Sequence, residues 1–202
     1  MVQKTFLALL FALLPQLTFA STLLVFGDSL SAGYGLPTGK SWVDMLSAKL
    51  SKTPYRVANA SISGETTAGG LSRIGRALGQ FRPEIVILEL GANDGLQGEP
   101  VAMTKKNLNA IVDACENHHA KVLLVGMRLP PNYGRRYASE FGAIYPEIAK
   151  RRRLAFVPFM LDGFAQNLDD FQADGLHPTA AAQGKVLSNI WKGLAPMLQK
   201  LH

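Results

Sequence analysis

The sequence predicts a doubly wound α/β fold in which helices cover both faces of a parallel sheet. Short runs rich in Val, Ile and Leu alternate along the chain with longer amphipathic segments. The runs are apolar almost throughout, which is typical of strands buried on both faces in a parallel sheet. Right-handed crossovers between the strands follow by default.

The five predicted strands are these apolar runs, at residues 22–26, 55–60, 84–90, 121–127 and 154–159. Helices are predicted between the strands wherever apolar residues recur at intervals of three and four. Three such helices are marked by Val43, Leu46 and Leu50, by Leu71, Ile74 and Leu78, and by Leu108, Ile111, Val112 and Cys115. Two more are predicted over residues 139–150 and 179–198.

Length and composition indicate a single domain with a buried core. The chain has 202 residues, of which 48% are hydrophobic and 18% are charged, so disorder is excluded as its main state. A single cysteine, Cys115, excludes an internal disulfide framework, a Cys-based zinc site and an iron–sulfur cluster. Because Cys115 lies on an apolar helical stripe, we expect a small core residue and not a reactive thiol.

The first twenty residues have the order of a secretory signal peptide. Lys4 precedes an uncharged apolar stretch, and the small residues Thr18 and Ala20 lie just before Ser21. A membrane anchor is the alternative, because no charge occurs from residue 5 to residue 27. The first strand cannot lie in both a sheet and a bilayer, and the remaining apolar stretch is too short to span. We therefore expect a cleaved leader at residues 1–20, a mature domain over residues 21–202 and export to an oxidising compartment.

The net charge of +6 is compatible with binding to nucleic acid, with attraction to an anionic membrane surface or with solubility alone. The only dense basic run, Lys150-Arg151-Arg152-Arg153, lacks the interleaved aromatic residues of a nucleic-acid platform. A solvated helix end is the favoured interpretation. Loss of Lys4 with the leader lowers the charge to +5, so we expect no nucleic-acid partner and at most a mild attraction to anionic lipid.

Candidate site residues are sought after each predicted strand, since ligands of doubly wound sheets bind beyond the carboxyl ends of the strands. Ser29 follows the first strand, within Gly27-Asp28-Ser29-Leu30. A serine on a tight turn from strand to helix is exposed, and its backbone N–H points toward an anion that forms at its hydroxyl. The alternative is a turn that Asp28 and Ser29 only cap.

Gly64 and Asn93 follow the second and third strands. Gly64 stands at the head of a helix, where the absence of a side chain leaves its N–H open to a ligand. The carboxamide of Asn93 can donate a hydrogen bond to a developing oxyanion. Each residue also has a purely structural interpretation: a helix entry capped by Thr66 or Thr67, and an Asx-type turn.

Asp174 and His177 lie near the carboxyl terminus and complete a catalytic set. Pro178 suits the first position of a helix and keeps His177 extended in a loop. Asp174 can fold back through Gly175 and accept a hydrogen bond from His177 Nδ1, which leaves Nε2 facing outward as a base. With Ser29, these residues supply nucleophile, base and orienting acid, and the conjunction predicts a serine hydrolase.

These motifs resemble the conserved blocks of the SGNH hydrolases, also called the GDSL family. The matching segments are Gly27-Asp28-Ser29-Leu30, Gly64, Gly91-Ala92-Asn93-Asp94 and Asp174-Gly175-Leu176-His177-Pro178. Residues 59–64, 129–137 and 157–159 are similar to the secreted bacterial thioesterase I, lysophospholipase and arylesterase subgroup. The resemblance therefore covers essentially the whole predicted mature chain.

The resemblance implies a three-layer flavodoxin-like sandwich that uses no metal and no organic cofactor. It implies hydrolysis of esters and thioesters through an acyl-enzyme on Ser29, with Asp174 and His177 as the other members of the triad. The implied oxyanion hole comprises the N–H groups of Ser29 and Gly64 and the side chain of Asn93. It also implies a bacterial enzyme that acts in the periplasm or outside the cell.

Other possibilities stay open at this point. An exported binding protein could use the same crevice without turnover, and a carbohydrate O-acetylesterase could use the same residues. Export argues against acyl-CoA and favours small esters or lysophospholipids as substrates. Nothing in the sequence demands association, so we expect a monomer.

Asp28 and Asp94 are predicted to brace turns, and His118 and His119 lack the neighbours of a metal site. The resemblance also implies that residues 95–98 move when substrate binds.

Overall fold

The computed structural model describes residues 21–199, so the predicted signal peptide lies outside the described residues. A five-stranded parallel sheet forms the centre of the fold, in the order β2-β1-β3-β4-β5. Its strands are β1 (Ser21–Gly27), β2 (Tyr55–Asn59), β3 (Ile85–Glu89), β4 (Lys121–Val125) and β5 (Ala155–Val157). The chain steps outward from β1 to β2, returns to the other side of β1 and then builds the remaining strands in order. The predicted fold class is confirmed.

Helices cover both faces of this sheet. Those in the described part are α1 (Ser29–Ala32), α2 (Trp42–Leu50), α3 (Thr67–Phe81), α4 (Ala92–Leu96), α5 (Val101–Asn117), α6 (Arg135–Arg152) and α7 (Gln183–Gln199). α2 packs against α7, whereas α3, α5 and α6 pack in succession, and right-handed crossovers put these two groups on opposite faces. No helix in this part of the chain is long and apolar enough to cross a membrane.

All five predicted helices are present, and two short ones are additional. α1 and α4 have four and five residues, which is too few for an apolar repeat to be recognised. Both begin just after a strand, at the edge of the sheet where the candidate residues lie. Short helices at strand ends thus carry two of the predicted site residues.

The core lies on both faces of the central strands. In β1, Leu23, Leu24, Val25 and Phe26 are fully buried, and every residue of β3 is buried. The edge strand β2 has exposed and half-buried positions. The edge strand β5 is three residues long and ends before Pro158, which has no N–H to donate to a ladder. Apolar residues continue beyond the strand ends, so the predicted runs overestimate the lengths of β2 to β5.

Cys115 and the basic run take the places that the sequence predicts. Cys115 is fully buried, and burial raises the pKa of its thiol to about 12, so the thiol stays protonated and unreactive. The basic run at residues 150–153 lies at the C-terminal end of α6. Arg152 departs from a solvated helix end, because it forms ion pairs with Asp113 and Glu116 of α5.

Candidate active site

A close approach of two strand ends shapes the turn that carries Ser29. Ser29 is the first residue of α1, and Oδ1 of Asp28 caps this helix by accepting a hydrogen bond from the N–H of Leu30 at 3.0 Å. Gly27 ends β1, and a Cβ atom at this position would lie 2.5 Å from Oε2 of Glu89 at the end of β3. Only glycine lets the two strands and the turn approach so closely. Ser29 is thereby presented, half-buried, at the carboxyl edge of the sheet.

An antiparallel bridge closes the loop that holds His177. Phe171 and Pro178 form this bridge, and the backbone N–H of Gln172 donates to the carbonyl of His177 at 2.8 Å. The helical turn after the loop begins at Ala180. The prediction that Pro178 is the first residue of a helix is therefore wrong, because its pairing with Phe171 keeps it in the loop.

Asp174 folds back onto His177 in this loop, as the sequence predicts. Gly175 has a φ of 67°, a left-handed conformation that lets the chain reverse between the two residues. Oδ1 of Asp174 accepts hydrogen bonds from the backbone N–H groups of Leu176 and His177, and Oδ2 lies 2.7 Å from Nδ1 of His177. Partial burial raises the pKa of Asp174, but the hydrogen bonds outweigh it and lower the pKa to about 2. Asp174 is therefore a carboxylate at neutral pH.

The fold brings His177 to Ser29, although 148 positions separate them in the sequence. Nε2 of His177 lies 2.8 Å from Oγ of Ser29, so the ring is bonded on both sides. The carboxylate of Asp174 can only accept, which assigns the proton of the neutral ring to Nδ1 and leaves Nε2 to accept from the serine hydroxyl. Asp174, His177 and Ser29 form one continuous hydrogen-bonded series.

Two side chains that the sequence analysis did not single out support the imidazole. The ring of Tyr34 packs on that of His177, with 4.6 Å between the ring centroids and 41° between the ring planes. Nε2 of Gln172 donates to the carbonyl groups of Tyr34 and Pro178, at 2.9 and 3.2 Å. Gln172 thereby ties the turn of Tyr34 to the histidine loop. No local motif marks either residue, because both act through contacts between distant segments.

The loop that carries Gly64 is tied to the serine turn by the N–H of Ile62, which donates to the carbonyl of Gly27 at 3.0 Å. Gly64 has a φ of 78°, and a Cβ atom there would meet nothing within 4 Å. Its backbone thus adopts a conformation that favours glycine, beside open space. The helix that follows is capped by Thr66, whose side chain accepts from the N–H of Gly69.

Asn93 links its own short helix to two neighbouring turns, and no Asx turn is formed by its side chain among the described hydrogen bonds. It lies in α4, and its Nδ2 donates to Oδ2 of Asp28 at 3.2 Å and to the carbonyl of Glu65 at 2.9 Å. The carboxamide thus contacts the residue before Ser29 and the residue after Gly64. The structure therefore gathers Ser29 of α1, Gly64 of the loop after β2 and Asn93 of α4 at one edge of the sheet.

Three carboxyl groups are buried at this edge: Asp28 is 1% exposed, Glu89 is 0% exposed and Asp94 is 3% exposed. Burial raises the pKa of Asp28 to about 7 and, together with the charge of Asp28, raises the pKa of Glu89 well above its usual range. Oε2 of Glu89 accepts from the hydroxyl of Ser31 at 2.6 Å and from the N–H of Asp28 at 3.3 Å. Asp94 accepts from the N–H and the hydroxyl of Thr67. The predicted bracing roles of Asp28 and Asp94 agree with these contacts.

These parts together define the class of the protein. A serine at a strand end, a histidine that accepts its hydrogen bond and a carboxylate that orients the histidine are the parts of a serine hydrolase. Within residues 21–199, no three His, Cys, Asp or Glu side chains are grouped so that they could hold a metal ion.

Comparison with known proteins assigns the family. Residues 25–185 match the model of the GDSL-like Lipase/Acylhydrolase family, and the chain belongs to this family. The resemblance drawn from the four motifs is confirmed, and the chain is a hydrolase.

The similarity to individual relatives extends over most of each chain. Esterase TesA of Pseudomonas aeruginosa is 46% identical over 188 residues, which cover 92% of this chain and 94% of the relative. Arylesterase of Vibrio mimicus is 40% identical, with 91% and 92% covered. Thioesterase 1/protease 1/lysophospholipase L1 of Escherichia coli is 42% identical, with 93% and 92% covered. A crystal structure of the psychrotrophic esterase EstA from Pseudoalteromonas sp., inhibited by monoethylphosphonate, has a TM-score of 0.84 and 36% identity and covers 89% of this chain and 99% of its own.

Proposed function

We propose that this protein is a serine esterase that hydrolyses carboxylic esters and thioesters through an acyl-enzyme on Ser29. The observation that carries the proposal is the hydrogen-bonded series from Asp174 through His177 to Ser29, with distances of 2.7 and 2.8 Å. A hydroxyl bonded to the free nitrogen of a carboxylate-oriented imidazole is an activated nucleophile. Relatives named esterase, arylesterase, and thioesterase and lysophospholipase support ester and thioester substrates.

Acylation begins when Oγ of Ser29 attacks the carbonyl carbon of the substrate and Nε2 of His177 takes the hydroxyl proton. The carbonyl oxygen becomes an oxyanion, which the N–H groups of Ser29 and Gly64 and the carboxamide of Asn93 stabilise. Asp174 stabilises the imidazolium with its negative charge. His177 then gives its proton to the departing alcohol or thiol as the C–O or C–S bond breaks.

Deacylation repeats these steps with water as the nucleophile. Nε2 of His177 takes a proton from water, and the oxygen attacks the ester carbonyl of acylated Ser29. The bond to Oγ breaks, the proton returns from His177 to the serine, and a carboxylic acid leaves. The cycle restores every group of the triad and uses only groups of this chain, from backbone and side chains, together with water.

Exposed apolar side chains beside the triad support substrates with a single acyl chain. Tyr34 is 53% exposed, Ile62 is 51% exposed and Leu176 is 41% exposed. Tyr34 packs on His177, Leu176 directly precedes His177, and Ile62 lies two residues before Gly64. An acyl chain on Ser29 can cover these surfaces and remove them from water. Small-molecule esters, acyl thioesters and lysophospholipids are the substrates proposed. Acyl chains longer than acetyl are favoured, because an acetyl group is too short to cover this apolar rim.

The proposal extends to the place where the enzyme acts. The leader-like order of residues 1–20 supports cleavage after Ala20 and action in the bacterial periplasm or outside the cell. We expect the mature enzyme to be a monomer. Its net charge of +5 supports a weak attraction to anionic membrane surfaces, where lysophospholipids are found.

A substrate panel tests the proposed activity. The purified protein and its Ser29→Ala variant are offered nitrophenyl esters from acetyl to dodecanoyl, an acyl thioester and a lysophospholipid. We expect wild-type activity to rise from acetyl toward medium chains, and the variant to lose nearly all activity and all labelling by a serine-directed fluorophosphonate.

The matched control is Ser63→Ala, which removes an exposed serine one residue before Gly64. This variant should keep its labelling by the fluorophosphonate. If Ser29→Ala hydrolyses the esters at the wild-type rate, Ser29 is not the nucleophile. A strict preference for acetyl esters of sugars would replace the proposed substrates with those of a deacetylase.

A further inference from the structure

The side-chain amide of Asn93 has two N–H groups, and both are engaged within the protein. Nδ2 donates to Oδ2 of Asp28 at 3.2 Å and to the backbone carbonyl of Glu65 at 2.9 Å. A primary amide has no third hydrogen to give. An oxyanion that binds Asn93 must therefore take or share one of these two hydrogens.

The contact with Asp28 is the one suited to exchange. It is the longer of the two, and Asp28 directly precedes Ser29, so the hydrogen aimed at it already points toward the serine turn. The contact with the Glu65 carbonyl belongs to the backbone of the neighbouring loop and fixes the plane of the amide. A substrate oxygen bound at Ser29 can therefore replace Asp28 as acceptor while the Glu65 contact stays.

Asp28 divides its two oxygens between two tasks. Oδ1 accepts from the N–H of Leu30 and caps α1, and Oδ2 faces Asn93. A helix cap needs only one oxygen, which Ser, Thr or Asn supplies equally well. The cap alone therefore does not account for a carboxylate that is 1% exposed.

We propose that Asp28 is a positioning residue for the reaction: its Oδ2 holds the amide of Asn93 toward the serine turn until the substrate oxyanion takes over that hydrogen. This inference rests on the proposed role of Asn93 in oxyanion binding. Asp28 acts through Asn93 and needs no contact with substrate. It keeps the donor aligned before the reaction, so that little reorganisation is needed when charge develops.

The hydrogen bonds around Glu89 favour a charged Asp28. Both oxygens of Asp28 accept from N–H donors, whereas Glu89 accepts from Ser31 and Asp28 on Oε2 alone and its buried Oε1 has no partner among the described residues. The negative charge of Asp28 opposes the ionisation of Glu89 and raises its pKa. Above the pKa of Asp28, which is about 7, the group with donors on both oxygens carries the charge, and Glu89 keeps its proton.

A double-mutant cycle tests the inference. Asp28→Asn keeps an oxygen for the helix cap but turns an amide N–H₂ toward the N–H₂ of Asn93, so the two donors oppose each other. We expect kcat for a short nitrophenyl ester to fall about ten- to a hundredfold with KM little changed. Asn93→Ala alone should lower kcat by about 100- to 1000-fold. In the Asn93→Ala background, Asp28→Asn should change kcat by less than about twofold, because the residue through which it acts is absent.

The outcomes separate this inference from the proposed function. If Asn93→Ala retains the wild-type kcat, Asn93 is not part of the oxyanion hole, whatever the effect of substitutions at Asp28. The second outcome is an impaired Asn93→Ala variant in which Asp28→Asn lowers kcat by the same factor as it does in the wild-type background. Asp28 is then only a structural brace, and the inference is overturned. Asp28→Ser, which keeps a capping oxygen and lacks the second one, provides the same cycle if Asp28→Asn does not fold. Urea denaturation of each variant confirms that folded enzymes are compared.

Discussion

Asp28 precedes Ser29 in a buried turn, and Asp174 contacts His177 in an exposed loop. The pKa values of these two aspartates move in opposite directions. Desolvation opposes the ionisation of both. At Asp174, whose side chain is 37% exposed, the N–H groups of His177 and Leu176 outweigh desolvation and lower the pKa to about 2. At Asp28 desolvation prevails and raises the pKa to about 7. The local supply of donors and water, and not the residue type, decides the charge of each carboxyl group.

The two regions therefore suit different tasks. Asp174 is ionised throughout the neutral pH range, so its carboxylate can balance the positive charge that His177 gains when it takes the serine proton. A buried carboxylate beside Glu89 is better suited to hold a neutral donor, the amide of Asn93. Each assignment can be tested by a substitution that preserves the shape of the side chain and removes one of its chemical properties.

Asp174→Asn is expected to give the largest effect on activity. The carboxamide can donate to Nδ1, which shifts the ring proton to Nε2 and leaves no acceptor for the hydroxyl of Ser29. We expect kcat to fall by about 1000- to 10,000-fold, with KM changed little. Steady-state hydrolysis of a nitrophenyl ester measures both constants.

Asp169→Asn is the matched control for this substitution. Asp169 is an exposed aspartate on the same segment of chain, and its variant should keep wild-type activity. An Asp174→Asn variant within tenfold of wild type would mean that the carboxylate is not needed to orient or balance His177.

The parts of the site that depend on local sequence were predictable. Asp174 reaches His177 across three residues through a glycine, so the pairing could be deduced from spacing alone. Ser29, Gly64 and Asn93 follow strands that their apolar character reveals, and parallel strands bring their carboxyl ends to one edge. The predicted residues therefore converge in the structure as expected.

The parts that depend on contacts between distant segments were not predictable. Nothing in the sequence places Oδ2 of Asp28 against Asn93, or the ring of Tyr34 against His177. At Pro178 the local preference of proline for helix starts gave the wrong answer, because a bridge to Phe171 within the same loop keeps it out of the helix. Glu89 did carry a signal: a charged residue at the end of a fully buried strand must find partners or keep its proton.

Glu89→Gln tests, through the stability of the protein, whether the buried carboxyl group of Glu89 keeps its proton. The raised pKa of Glu89 means that the folded protein keeps a proton that the unfolded chain releases above its usual pKa of 4.5. Release of this proton favours unfolding, so the wild type should lose free energy of unfolding as pH rises above that value toward the folded-state pKa. The variant lacks this proton and still offers an oxygen to Ser31. We expect the free energy of unfolding of the variant to rise relative to that of the wild type as pH increases above about 5.

Urea denaturation across this pH range measures the difference, with Glu99→Gln as the control for loss of an exposed carboxylate. The control should show no such trend. A difference between wild type and Glu89→Gln that stays constant with pH would mean that Glu89 is ionised in the folded protein, and that Asp28 does not carry the charge of the pair.

Substitution of Tyr34, which lies beside the exposed loop of His177, is expected to have the smallest effect on kcat. Its ring packs on the imidazole of His177, and an aromatic face attracts the cation that this imidazole becomes during the reaction. At an exposed site the attraction is about 0.5–1 kcal/mol, so Tyr34→Leu should lower kcat by about two- to fivefold. Tyr34→Phe keeps the face and loses only the hydroxyl, so it should retain wild-type kcat. Equal losses in the two variants would assign the effect to the hydroxyl, and no loss in either would leave Asp174 as the group that balances the charge of His177.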